Sequence, residues 1–320
     1  MRKYTSILSI LFICSLSVHA QVDKKKLFTE EDIILETTTG EIYGSITVPT
    51  KPRRRKFKLA LLIAGSGPTD RNGNNPMMKN NSLKMTAYGL SEHGIAVLRY
   101  DKRGIAQSKD AGINETDLRI ENYINDAAAW VDLLKKDKRF TEVVIIGHSL
   151  GSLIGMLAAQ QSTTDKFISI AGSGQSFDLL LKEQLEGQPG FIKNEAYSII
   201  DSLVQGDTVT KISPMLYSLF RPSIQKYWMS IFKFNPKDEI AKLNIPVLIV
   251  QGTTDLQVAV KDAELLHKGN PKSELSIFDG MNHVLKTAPA DRNANLSTYS
   301  KANLPLHDKF IETLVSFIKK

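Results

Sequence analysis

Val143-Val144-Ile145-Ile146-Gly147-His148-Ser149-Leu150-Gly151-Ser152-Leu153-Ile154 is the stretch whose reading decides the fold. Its first four residues form a short, continuous, β-branched run, the composition of a strand buried on both faces. From Leu153 to Ala159 the chain has helical composition and length. A serine between such elements, with glycines two residues away on each side, spells the G-x-S-x-G nucleophile elbow. The spelling has a steric cause: strand and helix approach so closely around the turn that only small neighbours fit. The strain of the turn lifts the serine hydroxyl to the top of the sheet. The Leu150 amide, at the helix N-terminus, then points at any oxyanion that forms there.

Outward from the elbow, the composition is that of a globular protein. Of the 320 residues, 42% are hydrophobic and 23% charged, the balance of a soluble domain. The first residues differ in kind. Arg2-Lys3 precedes an apolar stretch from Ile7 to Val18, and Val18-His19-Ala20 ends in small-residue style before Gln21. This three-part form predicts a secretory signal peptide over residues 1–20, cleaved after Ala20, and a periplasmic or secreted protein. Ile13 stands before Cys14 where a lipid-anchored protein needs a small residue, so no stable membrane anchor is expected. Removal of residues 1–20 leaves 39 of the 41 basic residues against 34 acidic ones, a net charge of +5, and no cysteine. A domain of this size builds its own core without disulfides. Arg53-Arg54-Arg55-Lys56 lacks aromatic interleaving and reads as a solvated turn, so no nucleic-acid partner is expected.

Residues 32–38 and 41–48 are β-rich and separated by Thr39-Gly40, a hairpin at the front of the domain. From Leu59 onward apolar runs alternate with helical stretches: strands at 59–64, 95–100, 143–146, 167–171, 247–251 and 274–278, and helices at 83–92, 120–136 and 306–318. That alternation predicts an α/β fold with a mostly parallel sheet covered on both faces. Residues 175–240 break the rhythm, with helical pieces but no buried strand, and carry nine of the 24 aromatic residues. They read as a helical lid inserted into a core of residues 21–174 and 241–320. It lies over the carboxyl ends of the strands, where open α/β sheets bind ligands. Tyr227 and Trp228 are its candidates for substrate contact.

A serine nucleophile needs a base to take its proton and an acid to orient that base. His283 is the base candidate, because Gly280-Met281-Asn282-His283 forms a loop just past the final strand. Of the other histidines, His148 is expected to face away from the pocket, His93 ends a helix, and His267 and His307 fall within helical segments. The acid must leave a strand end upstream of the base. Asp255 does so, in Gly252-Thr253-Thr254-Asp255 after the 247–251 strand, whereas Asp279 lies only four residues before His283. The oxyanion needs two aimed N–H donors. Leu150 supplies one, and the loop Gly65-Ser66-Gly67-Pro68 supplies the other, from Ser66 or, second, Gly67.

These residues resemble the α/β-hydrolase superfamily, and within it bacterial serine esterases related to esterase D and serine aminopeptidase-like hydrolases. The resemblance covers essentially the whole chain after the signal. It is carried by Gly65-Ser66-Gly67-Pro68-Thr69-Asp70-Arg71-Asn72-Gly73-Asn74, by Tyr100-Asp101-Lys102-Arg103-Gly104 with Ser108, by the elbow, and by the two loops holding Asp255 and His283. Ile105-Ala106 departs from the pattern, where many relatives have a small polar residue and a second glycine. The resemblance implies hydrolysis of a small-molecule carboxylic ester with no metal and no organic cofactor. It leaves the substrate open, since fold and function separate readily; short or aryl acyl esters are the preferred class. An aminopeptidase or thioesterase of the same fold is the alternative, and the former needs a lid acid such as Glu183, Glu186 or Glu195. A non-catalytic binding protein would be expected to lack a triad member.

Overall fold

Alternation settles which side of the sheet each apolar residue serves. In the computed structural model, which describes residues 27–50 and 56–320, Leu59, Leu61, Val143 and Ile145 pack into one core cluster. Their neighbours Ala60, Leu62, Val144 and Ile146 pack into the other. Successive side chains point to opposite faces of a strand, so runs that read as continuous in sequence feed two separate cores. Residues 1–20, expected to form a signal peptide, and the arginines of the 53–56 run lie outside the described residues.

The sheet has eight strands: β1 (Phe28–Thr37), β2 (Gly40–Pro49), β3 (Phe57–Ile63), β4 (Ala96–Tyr100), β5 (Phe140–His148), β6 (Lys166–Ile170), β7 (Val247–Gly252) and β8 (Glu274–Phe278), in spatial order β1-β2-β4-β3-β5-β6-β7-β8. β1 and β2 form the antiparallel front hairpin, and β2 pairs antiparallel with β4. From β4 to β8 every pairing is parallel. The crossovers are helices. α1 (Ser82–Glu92) and α11 (Phe310–Lys319) cover one face; α2 (Ile120–Lys136), α3 (Leu150–Gln160) and α9 (Val260–Gly269) cover the other, and the short α10 (Arg292–Ser297) lies between β8 and α11.

Between β6 and β7 the chain forms α4 (Phe177–Leu185), α5 (Gly190–Gln205), α6 (Pro214–Phe220), α7 (Gln225–Phe232) and α8 (Pro236–Ile240). Leu181, Ala196, Ile200, Leu203, Leu216 and Phe220 make a small core of their own. The insertion is stitched to the body by Arg221, which pairs with Glu115, and by Ser230, whose hydroxyl accepts from the Ile120 amide at 2.9 Å.

One helix is shorter than its sequence pattern. α11 begins at Phe310 rather than at Leu306, so His307 stands in the turn before it, where Nε2 donates to the Asp279 carbonyl at 3.1 Å. The His307 amide is taken by the Leu285 carbonyl at 2.9 Å, which holds this segment against the loop after β8 instead of continuing the helix.

Candidate active site

Ser149 sits in the turn from β5 to α3 with φ 55° and ψ −125°, a conformation that costs a non-glycine residue on the order of 1–3 kcal/mol. The surroundings enforce it. A Cβ on Gly147 would lie 2.2 Å from the Gly151 carbonyl oxygen, and one on Gly151 would lie 2.5 Å from the Ile63 oxygen. Both glycines of the motif are therefore required by the close approach of α3 to β5 and β3. The Ser149 amide donates to the Ile170 carbonyl at 2.9 Å, anchoring the elbow to β6. Leu150 opens α3, and its first-turn amide has no intrahelical acceptor and stands at the positive end of the helix dipole.

Asp255 follows β7, and its side chain is only 1% exposed. One oxygen accepts the backbone amides of Gln257 and Val258 at 2.7 and 3.0 Å. The other accepts His283 Nδ1 at 2.8 Å and Gln251 Nε2 at 3.2 Å. Burial pushes this carboxyl up, but the attraction and hydrogen bond of His283 and the two amides outweigh it, and the net shift is downward. Because a carboxylate only accepts, His283 carries its proton on Nδ1 and leaves the Nε2 lone pair free. Asp279 is placed differently: it accepts the Thr253 hydroxyl at 3.0 Å and ties the two loops together without reaching the imidazole in this hydrogen-bond network.

The loops bearing Asp255 and His283 share a clamp absent from the sequence reading. Asn295, fully buried, donates to the Thr254 and Pro289 carbonyls at 2.8 and 3.1 Å. Asn282 donates to Asn295 and to Thr298 at 3.0 and 2.8 Å. Asparagines dispersed over this distance carry no motif; only the folded loops bring them together.

His148 corrects an expectation. Its ring borders the pocket, with Nε2 donating to the His283 carbonyl at 2.8 Å and the two imidazoles 4.9 Å apart. Burial, with His283 beside it, lowers its pKa to about 3, so it stays neutral. Two-residue alternation in a strand places it on the Ile146 side, but at the elbow that side is the pocket wall.

Ser66, Ser149 and His283 line one cavity of about 260 Å³, together with Gly65, His148 and Tyr299. Gly65 runs directly against Ser149: a Cβ there would stand 3.0 Å from Ser149 Cβ. The Ser66 amide has no hydrogen-bond acceptor among the described residues. A second cavity of about 370 Å³ shares Gly67 and Pro68 with the first and is walled by Tyr123, Tyr227, Ile224 and Leu118. Tyr227 thus faces a cavity, and its ring meets Tyr123 edge-on at 5.9 Å. Trp228 is packed into the α4–α8 insertion, stacked on Phe232 at 5.8 Å, with Nε1 donating to the Leu219 carbonyl at 2.8 Å. Among the described residues no helix is long and apolar enough to cross a membrane, and no three His, Cys, Asp or Glu side chains gather as metal ligands would.

Comparisons with known proteins agree with this architecture. Residues 80–182 match a family profile described as serine aminopeptidase, S33, a hydrolase family. Esterase EstD of Thermotoga maritima is 32% identical over 266 residues, which cover 81% of this chain and 60% of that protein. The chain thus spans about three-fifths of the length of that relative. Rat monoglyceride lipase is 24% identical over 65% of this chain and 72% of its own. Est1E of Butyrivibrio proteoclasticus, solved with ferulic acid bound, superposes with a TM-score of 0.62 over 90% of this chain and 100% of its own at 19% identity.

Proposed function

We propose that this chain, a member of the α/β-hydrolase superfamily and a relative of esterase EstD, hydrolyses carboxylic esters with Ser149 as nucleophile, His283 as general base and Asp255 as the carboxylate that orients it. The observation that carries the reading is the His283–Asp255 hydrogen bond of 2.8 Å in a cavity wall that also holds the strained Ser149. His283 Nε2 takes the Ser149 proton while Oγ attacks the ester carbonyl. The Ser66 and Leu150 amides receive the tetrahedral oxyanion, and the alcohol leaves with the proton from His283. Water, deprotonated by the same imidazole, then attacks the acyl-serine and releases the acid.

Short or aryl acyl esters are the proposed substrate class. The cavity next to Gly67 and Pro68 supports it: Leu118, Ile224, Tyr123 and Tyr227 give it an apolar and aromatic wall beside the Arg221–Glu115 ion pair, and such walls bind acyl groups; Est1E holds ferulic acid on the same fold. An aminopeptidase would need a free lid carboxylate for the substrate ammonium. Glu183 pairs with Lys261, Glu186 with Lys193 and Tyr197, and Glu195 accepts the Ser213 amide, so the three candidates are engaged elsewhere. The test is a panel of chromogenic acyl esters, acyl thioesters and aminoacyl anilides on purified protein. Turnover confined to esters is expected; preference for anilides or thioesters would replace the reading by its alternative.

Export belongs to the same proposal. Arg2-Lys3, the apolar stretch to Val18 and the Ala20–Gln21 junction support removal of residues 1–20 and action outside the cytoplasm. N-terminal sequencing of the protein recovered from an extracytoplasmic fraction should begin at Gln21; a chain retaining Met1 there would overturn it.

A further inference from the structure

Lys102 is the residue of the Tyr100-Asp101-Lys102-Arg103-Gly104 turn whose chemistry the proposed reaction does not use. It leaves the end of β4 and is 3% exposed. Its ammonium donates to the Gly65 carbonyl and to the Gly67 carbonyl, the latter at 3.1 Å. It also stands over the Tyr123 ring, 5.7 Å from the centroid. Among the described residues it has no carboxylate partner. Asp101 beside it is taken by Arg71, Arg103 is paired with Asp126, and Glu115 across the second cavity is paired with Arg221. Tyr123 and Tyr227 are the remaining titratable groups on that side.

An ammonium buried without a counter-charge is costly and requires a compensating role. Peptide geometry indicates one. In a trans peptide the C=O and the following N–H point in opposite directions. The Gly65 carbonyl turned toward Lys102 therefore turns the Ser66 N–H to the opposite side, away from the lysine. Ser66 lines the Ser149 cavity, and its amide has no other acceptor among the described residues. The second anchor point, the Gly67 carbonyl, belongs to a peptide with no N–H because Pro68 follows, so the grip of Lys102 orients a donor only at Ser66. A cation on the oxygen of a peptide also polarises its N–H, strengthening the bond that N–H can make.

We propose that Lys102 is a positioning residue that holds the Gly65–Ser66 peptide in the orientation, and with the polarisation, that the oxyanion requires. The inference rests on the assignment of Ser66 as an oxyanion donor. Burial lowers the lysine's pKa to about 7, which brings its charge into the working range. As the pH rises through that value the ammonium loses its proton, the carbonyl grip weakens, and kcat should fall.

The experiment compares wild type, Lys102→Met and Lys102→Arg on one acetyl ester, with thermal unfolding of each. Lys102→Met is expected to unfold close to wild type and to lose about 10²-fold in kcat, the scale of one lost oxyanion donor, with KM changed less than threefold. Lys102→Arg, charged at every accessible pH, should recover part of that kcat and lack the alkaline limb that wild type shows near pH 7 to 8. Wild-type turnover by Lys102→Met overturns the proposal while leaving the esterase reading intact. An alkaline limb unchanged in Lys102→Arg also overturns it, and this arm decides the matter if the methionine variant does not fold. Absence of ester hydrolysis by wild type overturns both readings together.

Discussion

His148 donates from Nε2 to the backbone carbonyl of His283 at 2.8 Å, and the two rings stand 4.9 Å apart. A residue inside the elbow thus braces the loop that presents His283. The ring is kept neutral by its place in the wall: burial, followed by the nearness of His283, drops the His148 pKa to about 3. The unfolded chain binds this proton near pH 6.5. Above that pH both states are neutral and the full stability is present; it is lost as pH falls from about 6.5 toward 3, because only the unfolded state gains the proton. We expect the unfolding free energy of wild type, from urea titrations, to fall between pH 7 and pH 4 by about 3 kcal/mol more than that of His148→Gln. Parallel slopes in the two proteins would show that the histidine protonates freely in the folded state.

Ser149→Ala should abolish covalent labelling by a fluorophosphonate and reduce ester turnover by several orders of magnitude, as loss of a triad nucleophile does. The variant should be no less stable than wild type, since alanine removes only the hydroxyl and keeps the backbone that φ 55° already strains. Undiminished labelling would move the nucleophile elsewhere on the chain.

Asp255→Asn and Asp279→Asn separate orientation from loop architecture. The amide at 255 can present its N–H to the imidazole and hold it in the wrong tautomer, so kcat should drop by about 10⁴-fold with the fold retained. At 279 the oxygen that accepts the Thr253 hydroxyl survives in asparagine, and activity should stay within about tenfold of wild type by the same argument. A steeper loss at 279 than at 255 would reassign the acid.

Most of this arrangement was legible in the residues because motifs carry steric reasons. Gly147 and Gly151 are dictated by contacts of 2.2 and 2.5 Å that no side chain tolerates, so the elbow announces itself. Strand centres follow from continuous apolar runs, as at β5 and β7, whereas the ends of β5, Phe140–His148, extend beyond the 143–146 run. What was not legible depends on pairs distant in sequence. Asn295 and Asn282 join loops through hydrogen bonds that no local pattern encodes. Lys102 reads as one cation in a charged turn until the fold sets the Gly65 carbonyl against it. The two lid aromatics are adjacent in sequence, and helix rotation, not residue type, divides their surroundings.

That division gives the last prediction. Tyr227 walls the cavity beside Gly67 and Pro68, whereas Trp228 stacks on Phe232 and donates to the Leu219 carbonyl inside the lid. Tyr227→Ala should therefore leave acetyl-ester turnover nearly unchanged, because a small acyl group reaches Ser149 without filling that cavity. Longer or aryl acyl groups draw binding energy from the tyrosine wall, and one methylene in an apolar pocket is worth about 1–3 kcal/mol. The ratio of kcat/KM for octanoyl or aryl over acetyl esters should fall at least tenfold. Trp228→Ala removes a partly buried ring and its hydrogen bond, and should cost about 2–3 kcal/mol of stability with an unaltered acyl profile. Measuring both variants on the same ester series, with thermal unfolding alongside, tests the pair at once. A shifted profile in Trp228→Ala with unchanged stability, or a flat profile in Tyr227→Ala, would place the acyl group against a different part of the lid.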